Sequence, residues 1–370
     1  MAIKKVAVVF GGRSGEHEIS LRSAASIMES LKKIGYEVFP VGITRDGTWI
    51  AGDDSWQVLW EKRPLQDCQR TAIITDPANP GFLLWEETGG ARSNFNWVTV
   101  DVVFPVLHGP FGEDGTIQGV LEMAGLPFVG AGVLASVAGM DKVLMKEVFC
   151  QKGLPVGDFI HFKANSWRQE ASKWMAKVEA EIGFPCFVKP ANLGSSVGIS
   201  KAYDGEQLQE AVEEALLYDE KVVVEAFISG KEIECSVLGD LDLSASIPGE
   251  IVPSNDFYDY YAKYIDDRSE LIIPAQLSDD IVKHIQELAV NAFKVIDGSG
   301  MCRVDFFVEP ATQDVFINEV NTIPGFTSIS MYPKLWEASG VSFTELVDKL
   351  LQIAWQRHKR RQKLKNSPPV

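Results

Sequence analysis

Val6-Ala7-Val8-Val9-Phe10-Gly11-Gly12-Arg13-Ser14-Gly15-Glu16-His17-Glu18-Ile19-Ser20 is the stretch on which the fold turns. Its first five residues form an uninterrupted apolar run, as in a strand covered on both faces. A glycine-rich loop follows, and then Leu21, Ala24, Ala25, Met28 and Leu31 recur at helical spacing. Gly35 ends that helix, and Val38 to Ile43 returns as a strand. Strand, glycine loop, helix, strand is the opening of a parallel α/β sheet. A further strand, Val102 to Leu107, runs into the loop His108 to Thr116, and Ile117, Val120, Leu121 and Ala124 mark the next helix. The stretch from Asp53 to Trp97 has weak periodicity. It is expected to supply strands and loops covering one flank.

A chain of 370 residues is long for one core, so two or three domains are expected. The net charge of -16 argues against a nucleic-acid surface. No segment has 18 uninterrupted apolar residues, so no membrane span is predicted. The five cysteines are scattered without a C-x-x-C pair, which fits reduced thiols in a cytoplasmic protein. Cys186, Cys235 and Cys302 lie in apolar runs and read as small hydrophobes.

Chemistry concentrates in two places. Cys302 to Val308 and Val315 to Val320 read as neighbouring strands. Side chains alternate along a strand, so Arg303 and Asp305 share one face, and Glu319 and Asn321 share one face of the neighbour. If the two faces coincide, hard oxygen donors gather beside a fixed cation, which suits magnesium and phosphate. A solvated hairpin face is the plainer reading, but the apolar Cys302, Val304, Phe306 and Phe307 place these charges partly inside.

The second place is Lys189-Pro190-Ala191-Asn192-Leu193-Gly194-Ser195-Ser196-Val197-Gly198. A lysine leaving an apolar strand, followed by glycines and by Ser195 and Ser196, can approach an anion. A plain hairpin turn gives the same pattern. Glu225 sits within the apolar run Val222 to Ile228 and must find a donor there. There is no G-x-x-x-x-G-K-[ST] loop, and no G-x-G-x-x-G follows the first strand.

In its motifs the chain resembles the ATP-grasp enzymes, and within them the D-alanine–D-alanine ligases. The matching segments are GGRSGEHEIS (11–20), HGPFGEDGTIQG (108–119), MDK (140–142), KPANLGSSVG (189–198), EAFISGKE (225–232), FYDYYAKY (257–264), RVD (303–305) and NEVNTIPGFTSIS (318–330). The resemblance implies a three-domain α/β ATP-grasp fold. An N-terminal doubly wound parallel-sheet domain (1–131) would precede a central subdomain (132–229) and a C-terminal subdomain (230–370). It implies ATP and two magnesium ions, with manganese as a substitute, D-alanine as substrate, and a homodimer through the N-terminal domain.

Residue by residue, Asp305, Glu319 and Asn321 match the metal ligands, and Lys142 and Lys189 the phosphate-binding lysines, with Ser196 in the loop beside them. Glu225, Ala226, Phe227, Ile228 and Glu232 match the adenosine contacts. Glu18 matches the anchor for the first D-alanine's ammonium, and His108 a group near its carboxylate. Arg303 and the Gly325 N–H match the oxyanion donors, and Ser330 and Met331 the site of the second D-alanine. Ser195 and Tyr264 match the pair linking Glu18 to a lid at 254–271, from which Lys263 would reach the γ-phosphate. The implied reaction joins two D-alanines through an acyl phosphate. A D-alanine–D-lactate ligase shares the scaffold, but in the family a tyrosine at the Tyr264 position goes with the dipeptide. Another ATP-grasp activity would leave the EHEIS and SIS segments unexplained. A non-enzymatic nucleotide binder would have a defective metal site.

Overall fold

The computed structural model of the chain describes residues 3–88, 91–252 and 270–365. The first of three sheets contains β1 (Lys5–Gly11), β2 (Glu37–Ile43), β3 (Trp49–Ala51), β4 (Gln69–Ile73), β5 (Phe82–Thr88), β6 (Ala91–Val98) and β7 (Val102–Val106), in the order β6-β5-β4-β3-β2-β1-β7. The apolar run 6–10 pairs in parallel with β2 on one side and β7 on the other. All five of its residues are fully buried, as its composition requires. Among the strands of this sheet parallel pairing joins β2, β1 and β7, and an isolated parallel bridge links Val103 to Phe128. The remaining strands extend the sheet as antiparallel pairs, so it is mixed rather than wholly parallel. Gly11, at φ +90°, ends β1 where an added Cβ would lie 2.2 Å from the Ile43 carbonyl oxygen, so only glycine fits. Helices α1 (His17–Lys33) and α3 (Thr116–Met123) follow the strand ends, as expected.

The flank between 53 and 97 supplies β4, β5 and β6 together with a short helix, α2 (Ser55–Trp60). Its weak periodicity did not predict that helix. Tertiary contacts hold it: the Trp56 indole donates to the Leu21 carbonyl at 2.8 Å and stacks on Trp60.

Helices α4 (Val133–Met140) and α5 (Lys142–Gln151) lead to the second sheet. It has β8 (Phe159–Lys163), β9 (Cys186–Pro190), β10 (Ser200–Ala202) and β11 (Lys221–Ala226) in the order β10-β9-β11-β8, all antiparallel. With α6 (Ala164–Glu181) and α7 (Gly205–Ala215) it encloses its own core around Phe162, Trp167, Val188, Leu208 and Val224. The third sheet is built on β12 (Lys231–Gly239), β13 (Leu243–Ala245), β14 (Gly249–Val252), β15 (Glu270–Ile272), β16 (Gly300–Val308) and β17 (Val315–Asn321). Cys186, Cys235 and Cys302 are buried in these sheets as small apolar side chains.

Helix α8 (Asp279–Val295) packs on the third sheet. Helices α9 (Met331–Ala338) and α10 (Phe343–Arg361) return to the first. Phe10, Ile27 and Phe104 share one core with Phe326, Tyr332 and Leu350. The buried Arg357 guanidinium donates to the Phe128 and Gly130 carbonyls at 2.9 and 2.6 Å. The first and third sheets are thus joined through a common core, whereas the second has a separate one. Of the expected lid, 254–271, only the last two residues are described, as the start of β15; Lys263 and Tyr264 lie outside the described residues. Among the described residues no helix is long and apolar enough to cross a membrane.

Candidate active site

β16 and β17 pair antiparallel with Arg303 opposite Asn321 and Asp305 opposite Glu319. All four side chains therefore project from one face, which alternation alone left open. Arg303 forks onto Asp305, with Nε to Oδ1 and Nη2 to Oδ2 both at 2.7 Å. Asn321 Nδ2 donates to Asp305 Oδ2 at 3.0 Å. The same Arg303 Nε also lies 3.0 Å from Glu234 Oε2, a carboxylate that sequence reasoning missed. The signal was there: Glu232 and Glu234 alternate along β12, and Glu234 stands opposite Asp305. Two carboxylates and an amide oxygen make a hard donor set that fits a divalent cation. Among the described residues no group of three His, Cys, Asp or Glu is gathered for a metal, so this set would depend on the Asn321 side-chain oxygen for its third donor.

Facing this hairpin is a wall of lysines. Asp141 caps α5, accepting from the Val143 and Leu144 amides, and its carboxylate pairs with Lys221. The cap fixes where α5 begins, and Lys142 and Lys146, four residues apart, fall on one side of it. Lys142 Nζ reaches the Leu193 carbonyl at 2.7 Å and lies 3.4 Å from Glu319. Lys146 was not foreseen. It lies 3.2 Å from Glu225 Oε1, while Lys189 Nζ donates to Glu225 Oε2 at 2.7 Å. Glu225 was expected to meet adenosine. Here the two buried ammonium groups take its charge. Burial alone would raise its pKa, but Lys146 and Lys189 outweigh burial and hold it at about 2. Burial lowers the pKa of Lys146, whereas for Lys189 the Glu225 carboxylate overcomes burial and raises it.

Between the two walls lies a cavity of about 480 Å³. Lys142, Lys146, Lys189, Ser195, Ser196, Glu225 to Ile228, Glu232, Asp305 and Glu319 all line it. Phe187 and Phe227 give it an aromatic side, with ring centroids 6.1 Å apart. Ser195 and Ser196 both adopt positive φ, 52° and 57°, a conformation that non-glycine residues rarely hold.

The N-terminal loop corrects one expectation. Glu18, matched to the ammonium anchor and expected to link with Ser195, is half-buried on α1 and pairs with Arg45. Glu16 takes that place. It is 8% exposed and accepts a hydrogen bond from the Ser195 hydroxyl. The physical reason is helical phase. Glu16 precedes the first turn of α1 and faces Ser195, and two further residues turn Glu18 away onto Arg45. Next to it His108 and Glu113 are buried. Burial depresses the His108 pKa, which favours the neutral ring. Burial, together with the Glu16 carboxylate, pushes Glu113 up to about 8. Gly325 leads toward Ser330, whose hydroxyl accepts from the Thr327 amide at 3.0 Å, and Met331 is buried against Ile251 and Leu335.

Sequence models of two families match the chain: "D-ala D-ala ligase N-terminus" over residues 5–131 and "D-ala D-ala ligase C-terminus" over 148–352. The D-alanine–D-alanine ligase of Heliobacterium modesticaldum is 48% identical over 363 residues, covering 98% of each chain. That of Natranaerobius thermophilus is 47% identical over 354 residues, covering 95% of each. The D-alanine–D-alanine ligase structure from Coxiella burnetii superposes with a TM-score of 0.83 at 35% identity, covering 98% of this chain and 97% of its own. The VanG D-Ala:D-Ser ligase from Enterococcus faecalis gives 0.84 at 37% identity, covering 95% and 100%.

Proposed function

Because the chain belongs to the D-alanine–D-alanine ligase family, we propose that its central cleft joins two D-alanine molecules at the expense of ATP. The observation that carries this reading is the opposition of Lys142, Lys146 and Lys189 to Asp305 and Glu319 across one cavity, with the buried Glu16 tied to Ser195 at its N-terminal side. The lysines would neutralise the polyphosphate. Ala226 to Ile228 and the aromatic side would take the base, and Glu232 the ribose. Asp305, Glu319 and Asn321 would hold two magnesium ions, or manganese, which supply charge neutralisation to the transferring phosphoryl group.

Glu16 would bind the ammonium of the first D-alanine, leaving its carboxylate beside Arg303 and Gly325. A carboxylate is a poor acyl donor, because its leaving group is oxide. Phosphorylation converts that oxygen into a leaving group, and the amine of the second D-alanine then displaces phosphate. Arg303 and the Gly325 N–H would stabilise the oxyanion formed at the acyl carbon. Ser330 and Met331 would receive the second amino acid. In the cell this activity would supply a dipeptide for peptidoglycan precursors in the cytoplasm, from a homodimer.

The VanG neighbour favours a second reading, in which the acceptor is D-serine. Product masses formed from ATP, magnesium and D-alanine, with D-serine or D-lactate in competition, separate the readings. Ligation of D-alanine to itself as the dominant product supports the first. Absence of any ATP-dependent product overturns both.

A further inference from the structure

The segment Thr322-Ile323-Pro324-Gly325-Phe326 belongs to the third sheet's connection, yet its backbone is held by side chains from the first. Ile323 N–H donates to Glu113 Oε1 at 3.0 Å, and the other Glu113 oxygen accepts from Gly109 N–H at 2.8 Å. His108 Nδ1 lies 2.9 Å from the Ile323 carbonyl, so both polar groups of the Ile323 residue are engaged. Phe326 N–H donates to the Ser23 hydroxyl at 3.1 Å, and that oxygen lies 3.4 Å from His108 Nε2.

The protonation pattern is self-consistent. A carbonyl acceptor requires His108 to carry its proton on Nδ1. The neutral ring then offers Nε2 as acceptor to the Ser23 O–H, whose lone pairs receive the Phe326 N–H. The side chains of Ile323 and Phe326 are themselves buried in the shared core. Pro324 has a fixed φ and no N–H. Within this turn the Gly325 peptide is the unit flanked on both sides by anchored residues.

We propose that Glu113, with His108 and Ser23, is the positioning device of the acyl-activating loop, holding Ile323 and Phe326 so that the Gly325 N–H points at the reacting carboxyl. None of the three needs to touch the reacting atoms. The proposal rests on the reading of Gly325 as an oxyanion donor. Such a donor is effective only when it is held before charge develops, and a slack of about half an ångström removes much of its value. It also gives His108 a role different from contact with the substrate carboxylate: its two nitrogens face Ile323 and Ser23.

The test is Glu113→Gln. Even when protonated, a carboxyl keeps an acceptor lone pair on each oxygen, whereas the NH₂ of a glutamine has none, so one of the two backbone N–H groups would face a donor. The full-length enzyme is assayed by ADP release and dipeptide formation well below its melting temperature. The expected result is a kcat lowered about tenfold or more, with the KM values for ATP and D-alanine within about threefold of wild type. A merely structural role predicts a lower melting temperature with kcat unchanged. Ser23→Ala should give a smaller kcat loss with the same split, because it frees only the Phe326 side. Should Glu113→Gln fail to fold, Ser23→Ala decides by the same criterion. A kcat equal to wild type in the folded variants overturns the proposal. Failure of the wild-type protein to ligate overturns the underlying function instead.

Discussion

Glu225→Gln removes the carboxylate that two buried ammonium groups contact, at 2.7 Å from Lys189 and 3.2 Å from Lys146. At an effective dielectric constant of about 20, a contact near 3 Å is worth roughly 5 kcal/mol of attraction. Desolvating each ion consumes several kcal/mol of that gain, so the net value of the cluster is small. Removing one partner is different, because the desolvation cost of the others remains. Loss of this anion should therefore cost about 3–5 kcal/mol. Lys146→Met leaves the Lys189–Glu225 pair intact and removes the ammonium that burial disfavours. It should cost less than about 1.5 kcal/mol, and the double variant should fall between the two. Urea unfolding at pH 7, without nucleotide, measures all four proteins. Added ATP should narrow the Glu225→Gln deficit, because its phosphates supply Lys189 with the missing counter-charge. A Glu225→Gln protein within about 1 kcal/mol of wild type, or a Lys146→Met protein less stable than it, would refute the reasoning.

Other consequences are equally direct. Glu319→Gln should keep its fold and lose most turnover, since one carboxylate of the proposed metal pair becomes neutral; near-normal ligation at saturating magnesium contradicts this. Glu16→Gln should raise the KM for D-alanine about tenfold or more, whereas Glu18→Gln should leave it near wild type, because Glu18 is turned away onto Arg45. The reverse order would restore Glu18 as the anchor. Unliganded stability should fall as pH rises from the ordinary carboxylate value of 4.5 towards about 8, because folded Glu113 keeps a proton that the unfolded chain has already lost. Urea midpoints across that window should slope less steeply for Glu113→Gln, and an unchanged slope rules Glu113 out as the source.

Much of this protein was legible from its residues in order. The all-apolar run 6–10, the period of α1 and the alternation of 303–305 against 319–321 are local patterns, and local patterns report local conformation. Lys189 and Glu225 declared themselves as charges within apolar strands, which must find partners. The family motifs supplied the rest of the candidate site. What they did not supply is relative rotation and partnership between distant segments. Glu16 and Glu18 are two residues apart in one motif, and only the phase of α1 decides which of them meets Ser195, 179 positions further along. Lys146 has no local signal beyond its spacing from Lys142, since its partner lies on β11. Helix α2 follows no strong period because one long-range indole hydrogen bond and a tryptophan stack hold it. Glu113 and Ser23 read as ordinary loop and helix residues until Ile323 and Phe326 are folded onto them. A sequence records which side chains are available at each position. Burial, charge pairing and the aim of a backbone N–H depend on groups hundreds of residues apart, and these come together only when the first and third sheets close on a common core.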